Sequence, residues 1–162
     1  MSRTLRASLL SMLPLTGLAC TPPPTNFAEF MPTYSTVRVD ENFPQLPAVQ
    51  VESVDIKRSV RAKPDLCGFL STLTIRIHWP AARPFPLDQM GFYIRVASGN
   101  LPPGLFPREP ITLVHTDGSK ADIRVSWQDD PVTMQKPLSF TLEFIPIDRW
   151  LHLGPVTTKK VP

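Results

Sequence analysis

The sequence predicts an all-β protein in which two sheets pack as a sandwich, and three observations support this. Proline accounts for 20 of the 162 residues, which leaves few uninterrupted stretches where a helix could form. Apolar and polar residues alternate with a period of two in four separate segments, as they do in strands with one buried face. Turn-forming residues separate these segments, a layout typical of sandwiches.

The four alternating segments are the strongest strand candidates. In 73–79 every odd position is apolar and every even position is polar, and the same alternation occurs in 92–96, 121–127 and 138–144. The apolar faces of these segments predict a core made of Leu73, Ile75, Ile77, Trp79, Phe92, Ile94, Val96, Ile123, Val125, Trp127, Phe140, Leu142 and Phe144.

Weaker strand candidates bring the expected total to about seven. They are residues 49–57, 111–114 and 156–161. In the first of them the apolar phase slips between Val51 and Val54, as a β-bulge or a change of sheet requires.

The connections between candidates contain the residues that turns require. Asp117 and Gly118 lie between two candidates and favour the positive φ of a tight turn, so residues 111–127 are predicted to form a hairpin. Residues 80–86 and 101–110 are rich in proline, which cannot donate to a ladder, and are predicted to be loops.

Residues 1–19 have the three-part layout of a secretory signal peptide. Arg3 and Arg6 precede an apolar stretch from residue 7 to residue 18. That stretch has about twelve residues, whereas a membrane-spanning helix needs roughly 20. We therefore expect an exported protein from which this segment is removed.

Net charge gives no indication of a nucleic-acid partner. Without Arg3 and Arg6, 15 basic residues remain against 14 acidic ones, a net charge of +1. The densest basic run, 57–63, has no interleaved aromatic residues and is diluted by Asp55 and Asp65. We expect this run to be a solvated edge.

The next residues predict a lipid anchor. Residues 15–20 resemble the lipobox of bacterial lipoproteins, although Gly17 stands where the box usually has a leucine. The resemblance implies palmitate-type acylation of Cys20 and, because Thr21 rather than an aspartate follows, placement at the outer membrane or cell surface. The alternative is ordinary signal cleavage that leaves Cys20 unmodified. Residues 20–47 are then the anchor cysteine and a proline-rich tether.

The second cysteine, Cys67, has two interpretations. If Cys20 carries lipid, Cys67 has no partner within the chain and is expected to be a buried thiol. In an unlipidated protein the two cysteines could instead form a disulfide that closes a loop of about 46 residues.

The order of strands also resembles a known fold family. Residues 73–80, with Trp79 near their end, are similar to the second strand of fibronectin type III and related immunoglobulin-like modules, where a tryptophan lies in the core. Residues 90–96 are similar to the next strand and 140–148 to the sixth. The resemblance implies an immunoglobulin-like (fibronectin type III-like) antiparallel β-sandwich over 48–162, with a binding or spacing role and no catalytic residues.

Few residues have the spacing of a metal or catalytic site. His78, His115 and His152 are far apart in the sequence and have no neighbouring cysteine, so no metal or other cofactor is predicted. Asp129 and Asp130 could offer two oxygens to Ca²⁺, which needs six to eight, and a solvated turn is the favoured interpretation.

Two functions from different classes follow. The favoured one is a non-enzymatic, lipid-anchored module of the cell envelope, held on a membrane, whose loops or sheet edge contact an envelope protein or a surface glycan. The alternative is a small envelope hydrolase or metal-handling protein with a site assembled from loops. Tyr93 and Trp150 lie outside the predicted core, and Trp150 either caps one end of the sandwich or belongs to a ligand platform.

Overall fold

The computed structural model describes residues 25–33, 44–60, 68–80 and 85–162. These residues form one short 3₁₀ helix, Leu87–Gln89, and the strands β1 (Phe27–Glu29), β2 (Gln50–Lys57), β3 (Leu70–His78), β4 (Gly91–Gly99), β5 (Ile111–Leu113), β6 (Lys120–Gln128), β7 (Phe140–Ile147) and β8 (Thr157–Val161). The all-β prediction is confirmed. In this part of the chain no helix has the length and apolar character needed to cross a membrane. The predicted signal peptide 1–19, Cys20 and Cys67 lie outside the described residues.

The strands form two antiparallel sheets. One contains five strands in the order β1-β5-β4-β7-β8, and the other contains three in the order β2-β3-β6. The chain changes sheet between β1 and β2, between β3 and β4, between β5 and β6, and between β6 and β7. Each of the seven predicted strand segments corresponds to a strand, and β1 is an addition.

The alternating apolar residues of the two sheets form one core. Trp79 follows β3 and is fully buried, and its ring meets that of Phe92 on β4 edge to face, with 5.9 Å between the ring centroids. Its Nε1 donates to the carbonyl oxygen of Phe85 at 2.7 Å, so the polar edge of the buried indole has a partner. All thirteen predicted core residues are buried except Val96.

The phase slip predicted in β2 is a β-bulge. The pairing of β2 with β3 shifts between Val51 and Ser53. The extra residue brings both Val51 and Val54 to the inner side, where they are half-buried against the core.

The hairpin predicted for residues 111–127 is wrong. β5 pairs with β1 and β4, whereas β6 pairs with β3 in the other sheet. The turn itself is tight, because Asp117 and Lys120 exchange backbone hydrogen bonds of 2.8 and 3.0 Å around Gly118, whose φ is +59°. Alternation shows only that one face of a strand is buried. Two strands on opposite sides of one core therefore have the same pattern as two partners in a hairpin.

Part of the predicted tether, residues 20–47, contributes to the folded domain. Phe27 of β1 lies opposite Leu113 of β5. Phe30 and Leu46 are buried. A strand of three residues is too short for an alternation that sequence analysis could identify.

Asn26 connects the edges of the two sheets. Its backbone carbonyl accepts a hydrogen bond of 3.3 Å from Val114, next to β5. Its side-chain amide donates to the carbonyl of Asp122 and accepts from the backbone N–H of Arg124 at 2.7 Å, both on β6. The side chain thus forms the pair of bonds that the backbone of a neighbouring strand would form. β6 is an edge strand, and Asn26 covers part of that edge.

Candidate functional site

A cavity of about 570 Å³ lies between β4 and the loop that leads from β4 to β5. We call it the β4 groove, and we call residues 101–110 the proline loop. The lining is mainly apolar, with Ile94 and Val96 on the strand side and Leu101, Leu105 and Phe106 on the loop side. Another opening on the described surface is slightly larger, at about 610 Å³, so the apolar lining rather than the size makes the β4 groove a candidate ligand site.

One wall of the groove is a strand edge without a strand partner. β4 pairs with β7 along its whole length, as far as Gly99. Its pairing with β5 on the other side is limited to Gly91 and Phe92. From Tyr93 onward, the β5 side of β4 has no paired strand among the described residues.

The ladder between β4 and β7 shows which backbone groups face the groove. The carbonyl of Pro146 on β7 accepts a hydrogen bond of 2.8 Å from the segment that leads to β8. Backbone groups alternate in direction along a strand, so those of the preceding residue, Ile145, point toward β4, where Ile145 lies opposite Tyr93. The N–H and C=O groups of Ile94 and Val96 consequently point away from β7, toward the groove.

The proline loop cannot continue the β4–β5 ladder itself. Extension of the observed register would place Arg108 opposite Arg95 and would include Pro107 and Pro110. Like charges directly opposite each other are destabilising, and proline has no N–H to donate. The proline loop therefore stays outside the sheet until β5 begins, and a gap remains beside β4.

The start of the proline loop is held in place. Asn100 accepts a hydrogen bond of 2.8 Å from the Ser139 amide and donates one of 2.7 Å to the Pro137 carbonyl. Gly99 has a φ of +107°, and a Cβ at this position would lie 2.2 Å from the carbonyl oxygen of Ser139. Only glycine permits this close approach, so the loop leaves β4 at a defined angle.

Two arginines give the groove a positive charge. The Arg95 guanidinium lies 5.2 Å from the centre of the Tyr93 ring, and Arg108 is exposed on the proline loop. Among the described residues neither arginine forms an ion pair, although Glu143 lies opposite Arg95 in the register. The described residues that line the groove include no acidic side chain. Apolar walls beside two cations favour a ligand that carries both apolar and anionic groups.

The prediction that Val96 belongs to the core is wrong, because this residue is 38% exposed. The pairing of β4 with β7 shifts between Val96 and Ser98, near the end of the sandwich. The groove separates Val96 from the proline loop. Alternation cannot show where along a strand the opposite sheet stops covering it.

Asp129 belongs to a partly buried ion pair rather than to a solvated turn. Arg58 donates to its two carboxylate oxygens at 2.7 and 2.6 Å, and the Ser71 hydroxyl donates at 2.6 Å. The hydrogen bond from Arg58 outweighs the effect of burial and, together with the bond from Ser71, lowers the pKa of Asp129 to about 2. The solvated edge predicted for the basic run is also wrong at Arg58. Both oxygens of Asp129 are engaged by protein donors, and Ca²⁺ would have to displace them.

The three histidines have different partners. His78 contacts the Gln50 side chain at 2.9 Å, and His115 is exposed between β5 and β6. His152 pairs with the buried carboxylate of Asp148 at 2.9 Å, and that carboxylate also accepts two backbone amides of its own turn, so it organises the turn. Within the described ranges no group of three or more His, Cys, Asp or Glu residues could hold a metal ion.

Comparison with known proteins does not extend these observations. No protein-family model, curated protein or solved structure matches the chain. Its function must therefore be inferred from the chemistry of its own residues.

Trp150 packs at one end of the sandwich. Its ring is half-buried against the core, and the Arg149 guanidinium lies 4.2 Å from the centre of the ring. These contacts favour the capping role over a place in a ligand platform. Tyr93, on the outer face of the five-stranded sheet, is half-buried beneath Arg95.

Sequence analysis did not identify the β4 groove. It predicted that 101–110 is a loop, but the site also needs the early end of β5 and the open edge of β4, and both are properties of strand pairing. The local sequence around Arg95 and Arg108 carries no signal that identifies the groove.

Proposed function

We propose that this chain is an exported, lipid-anchored and non-enzymatic module of the bacterial cell envelope that binds another envelope protein. The observation that carries the proposal is the β4 groove, an apolar opening with two arginines that are not ion-paired to any described residue. A protein segment suits this lining better than a surface glycan does. Glycans need several polar groups and aromatic faces, and Phe106 is the only aromatic side chain that the described lining offers.

An immunoglobulin-like, fibronectin type III-like topology is part of the proposal. When β1 is set aside, the first, second and fifth strands share one sheet, and the third, fourth, sixth and seventh share the other. This distribution is the one that the resemblance implies, and the buried Trp79 beside the second of these strands supports it. Such modules present loops and sheet edges to partners while the core remains closed.

The anchor is proposed from the sequence around Cys20. A cleaved signal peptide would make Cys20 the first residue of the mature protein, and acyl chains on its thiol and amino group would hold the domain at the outer membrane or cell surface. Several chains are needed because one alone binds a membrane only marginally. The residues between Cys20 and Asn26 would then separate the lipid from β1.

The alternative, a hydrolase or metal-handling protein, has one feature to build on, which is the His152–Asp148 pair. An orienting carboxylate beside a histidine occurs in catalytic sites. The cavity next to His152, however, is lined by Pro44, Gln45, Leu46, Leu153, Gly154 and Pro155, none of which is a nucleophile. Binding therefore has the better support.

Metabolic labelling tests the anchor. Cells that process bacterial lipoproteins would be given a palmitate analogue and would express the wild-type chain, Cys20→Ser or Cys67→Ser. We expect label and membrane-fraction protein for the wild type and for Cys67→Ser, and neither for Cys20→Ser. Wild-type protein that is unlabelled and wholly soluble would refute the lipid anchor, whereas equal labelling of Cys20→Ser would place the lipid elsewhere.

A further inference from the structure

The open edge of β4 specifies the kind of ligand that fits the β4 groove. Ile94 and Val96 direct backbone N–H and C=O groups toward the groove, and the proline loop does not bond to them: the described backbone bonds outside the strands include none to either residue. Unpaired donors and acceptors along a strand are the template that an added strand uses. A small organic anion or a lipid headgroup could use the arginines but not this row of backbone groups.

The two faces of β4 specify the side chains of the added strand. Residues directly opposite each other in neighbouring strands lie on the same face of the sheet. Ile94 and Val96 belong to the inner face, so their opposite positions would contact the apolar walls formed by Leu101 and Leu105. Arg95 belongs to the outer face, so the position opposite it would lie beside a guanidinium.

We propose that the β4 groove binds an extended segment of a partner protein in which apolar and acidic residues alternate. The segment adds to β4 antiparallel, in line with β5, and forms backbone hydrogen bonds with Ile94 and Val96. Its apolar side chains face Leu101 and Leu105, and a carboxylate lies beside Arg95, where Arg108 adds a second positive charge. This inference deepens the proposed binding function and rests on it.

The test uses the purified full-length chain with Cys20→Ser, so lipid plays no part in it. The probe is an acetylated, amidated and fluorescein-labelled octapeptide of alternating valine and glutamate, and binding is followed by fluorescence anisotropy. We expect saturable binding. The affinity should fall about tenfold for Arg95→Gln, because one charge-assisted contact is lost, and it should fall further when Arg108→Gln is added. Lys160→Gln, which removes a positive charge from β8 in the same sheet, should bind as the parent does.

Peptide variants test the strand geometry without altering the protein. In an antiparallel pair, residues opposite Ile94 and Val96 use their own N–H groups. N-methylation of the valines should therefore abolish binding, whereas N-methylation of the glutamates should leave the affinity within about threefold of that of the unmethylated peptide. The lysine-for-glutamate peptide should not bind.

Three results would overturn the proposal. They are failure of the valine–glutamate peptide to bind, equal effects of methylation at valine and at glutamate, and binding that is unchanged in the double arginine variant. Arginine-dependent binding to phosphatidylglycerol vesicles without peptide binding would also overturn it, because it would assign the arginines to a membrane surface. None of these results bears on acylation of Cys20, so the anchor and the groove succeed or fail separately.

Discussion

Replacing Asp129 by asparagine removes one charge of a partly buried ion pair while the side chain keeps its size. In the wild type the Asp129 carboxylate is 6% exposed and accepts hydrogen bonds from Arg58 and Ser71. The variant leaves the Arg58 guanidinium, 21% exposed, without its counter-charge. Breaking a fully buried pair from one side costs about 3–5 kcal/mol. Because Arg58 keeps some contact with water, we expect the free energy of unfolding at pH 7 to fall by about 3 kcal/mol.

The chain provides a matched control in the pair of Arg76 and Asp122. Arg76 donates to both oxygens of that carboxylate, at 2.8 and 3.0 Å, but the two side chains are 52% and 31% exposed. Exposed pairs contribute about 0–1 kcal/mol. Asp122→Asn should therefore lower the free energy of unfolding by less than about 1 kcal/mol.

Stability should also depend on pH through Asp129. Its pKa falls from an ordinary 3.8 to about 2 in the folded protein because of the Arg58 hydrogen bond. A carboxylate whose pKa is lower in the folded state than in the unfolded state stabilises the folded protein at pH values above the unfolded pKa. The contribution of Asp129 to stability is therefore complete above about pH 5 and is lost as the pH falls toward 2. The shift corresponds to about 2 kcal/mol.

Urea unfolding followed by tryptophan fluorescence, at pH 7 and at intervals down to pH 2, measures both effects. Between pH 7 and pH 2 the free energy of unfolding of the wild type should fall by about 2 kcal/mol more than that of Asp129→Asn. Equal destabilisation by Asp129→Asn and Asp122→Asn at pH 7, or parallel acid curves for the wild type and Asp129→Asn, would refute the reasoning.

Further predictions concern the core and the second cysteine. Phe140→Ala should lower the free energy of unfolding, measured in urea, by about 3–5 kcal/mol, and Val96→Ala should lower it by less than about 1 kcal/mol. Similar losses for the two variants would contradict the burial of Phe140 and the exposure of Val96. Trp79→Phe should cost about 1–2 kcal/mol more than Trp127→Phe, because the indole N–H of Trp79 donates to Phe85 whereas that of Trp127 is buried with no partner among the described residues. An equal cost in urea unfolding would contradict this. Thiol labelling of Cys67 should be slow in the folded protein and fast in denaturant without reductant. A need for reductant would indicate a disulfide.

The strands of the domain could be predicted because most of them are covered on one side only. β3 and β6 keep a strict period of two over nine residues each, so their extents differ from prediction by three residues at most. What alternation lacks is partner identity. The sequence predicts that β5 pairs with β6, but its neighbours are β1 and β4. Burial of one face is compatible with a place in either sheet.

The groove and the partly buried ion pair could not be predicted for a related reason. Arg58 and Asp129 are 71 residues apart in sequence and meet only because β2 and β6 both flank β3. Arg95 and Arg108 line one cavity because the ladder stops at Phe92. Each depends on where pairing begins or ends, and neighbouring residues in the sequence carry little information about that.

The amide of Asn26 also limits how the molecule can associate with copies of itself. An uncovered edge strand can seed the sideways growth of a sheet from one molecule to the next, which is how many β proteins aggregate. Asn26 occupies the backbone groups of Asp122 and Arg124 in the middle of β6, so a second chain cannot pair along the full strand. A single polar side chain thus interrupts strand pairing along this edge, and we expect its removal to open the edge to a second copy.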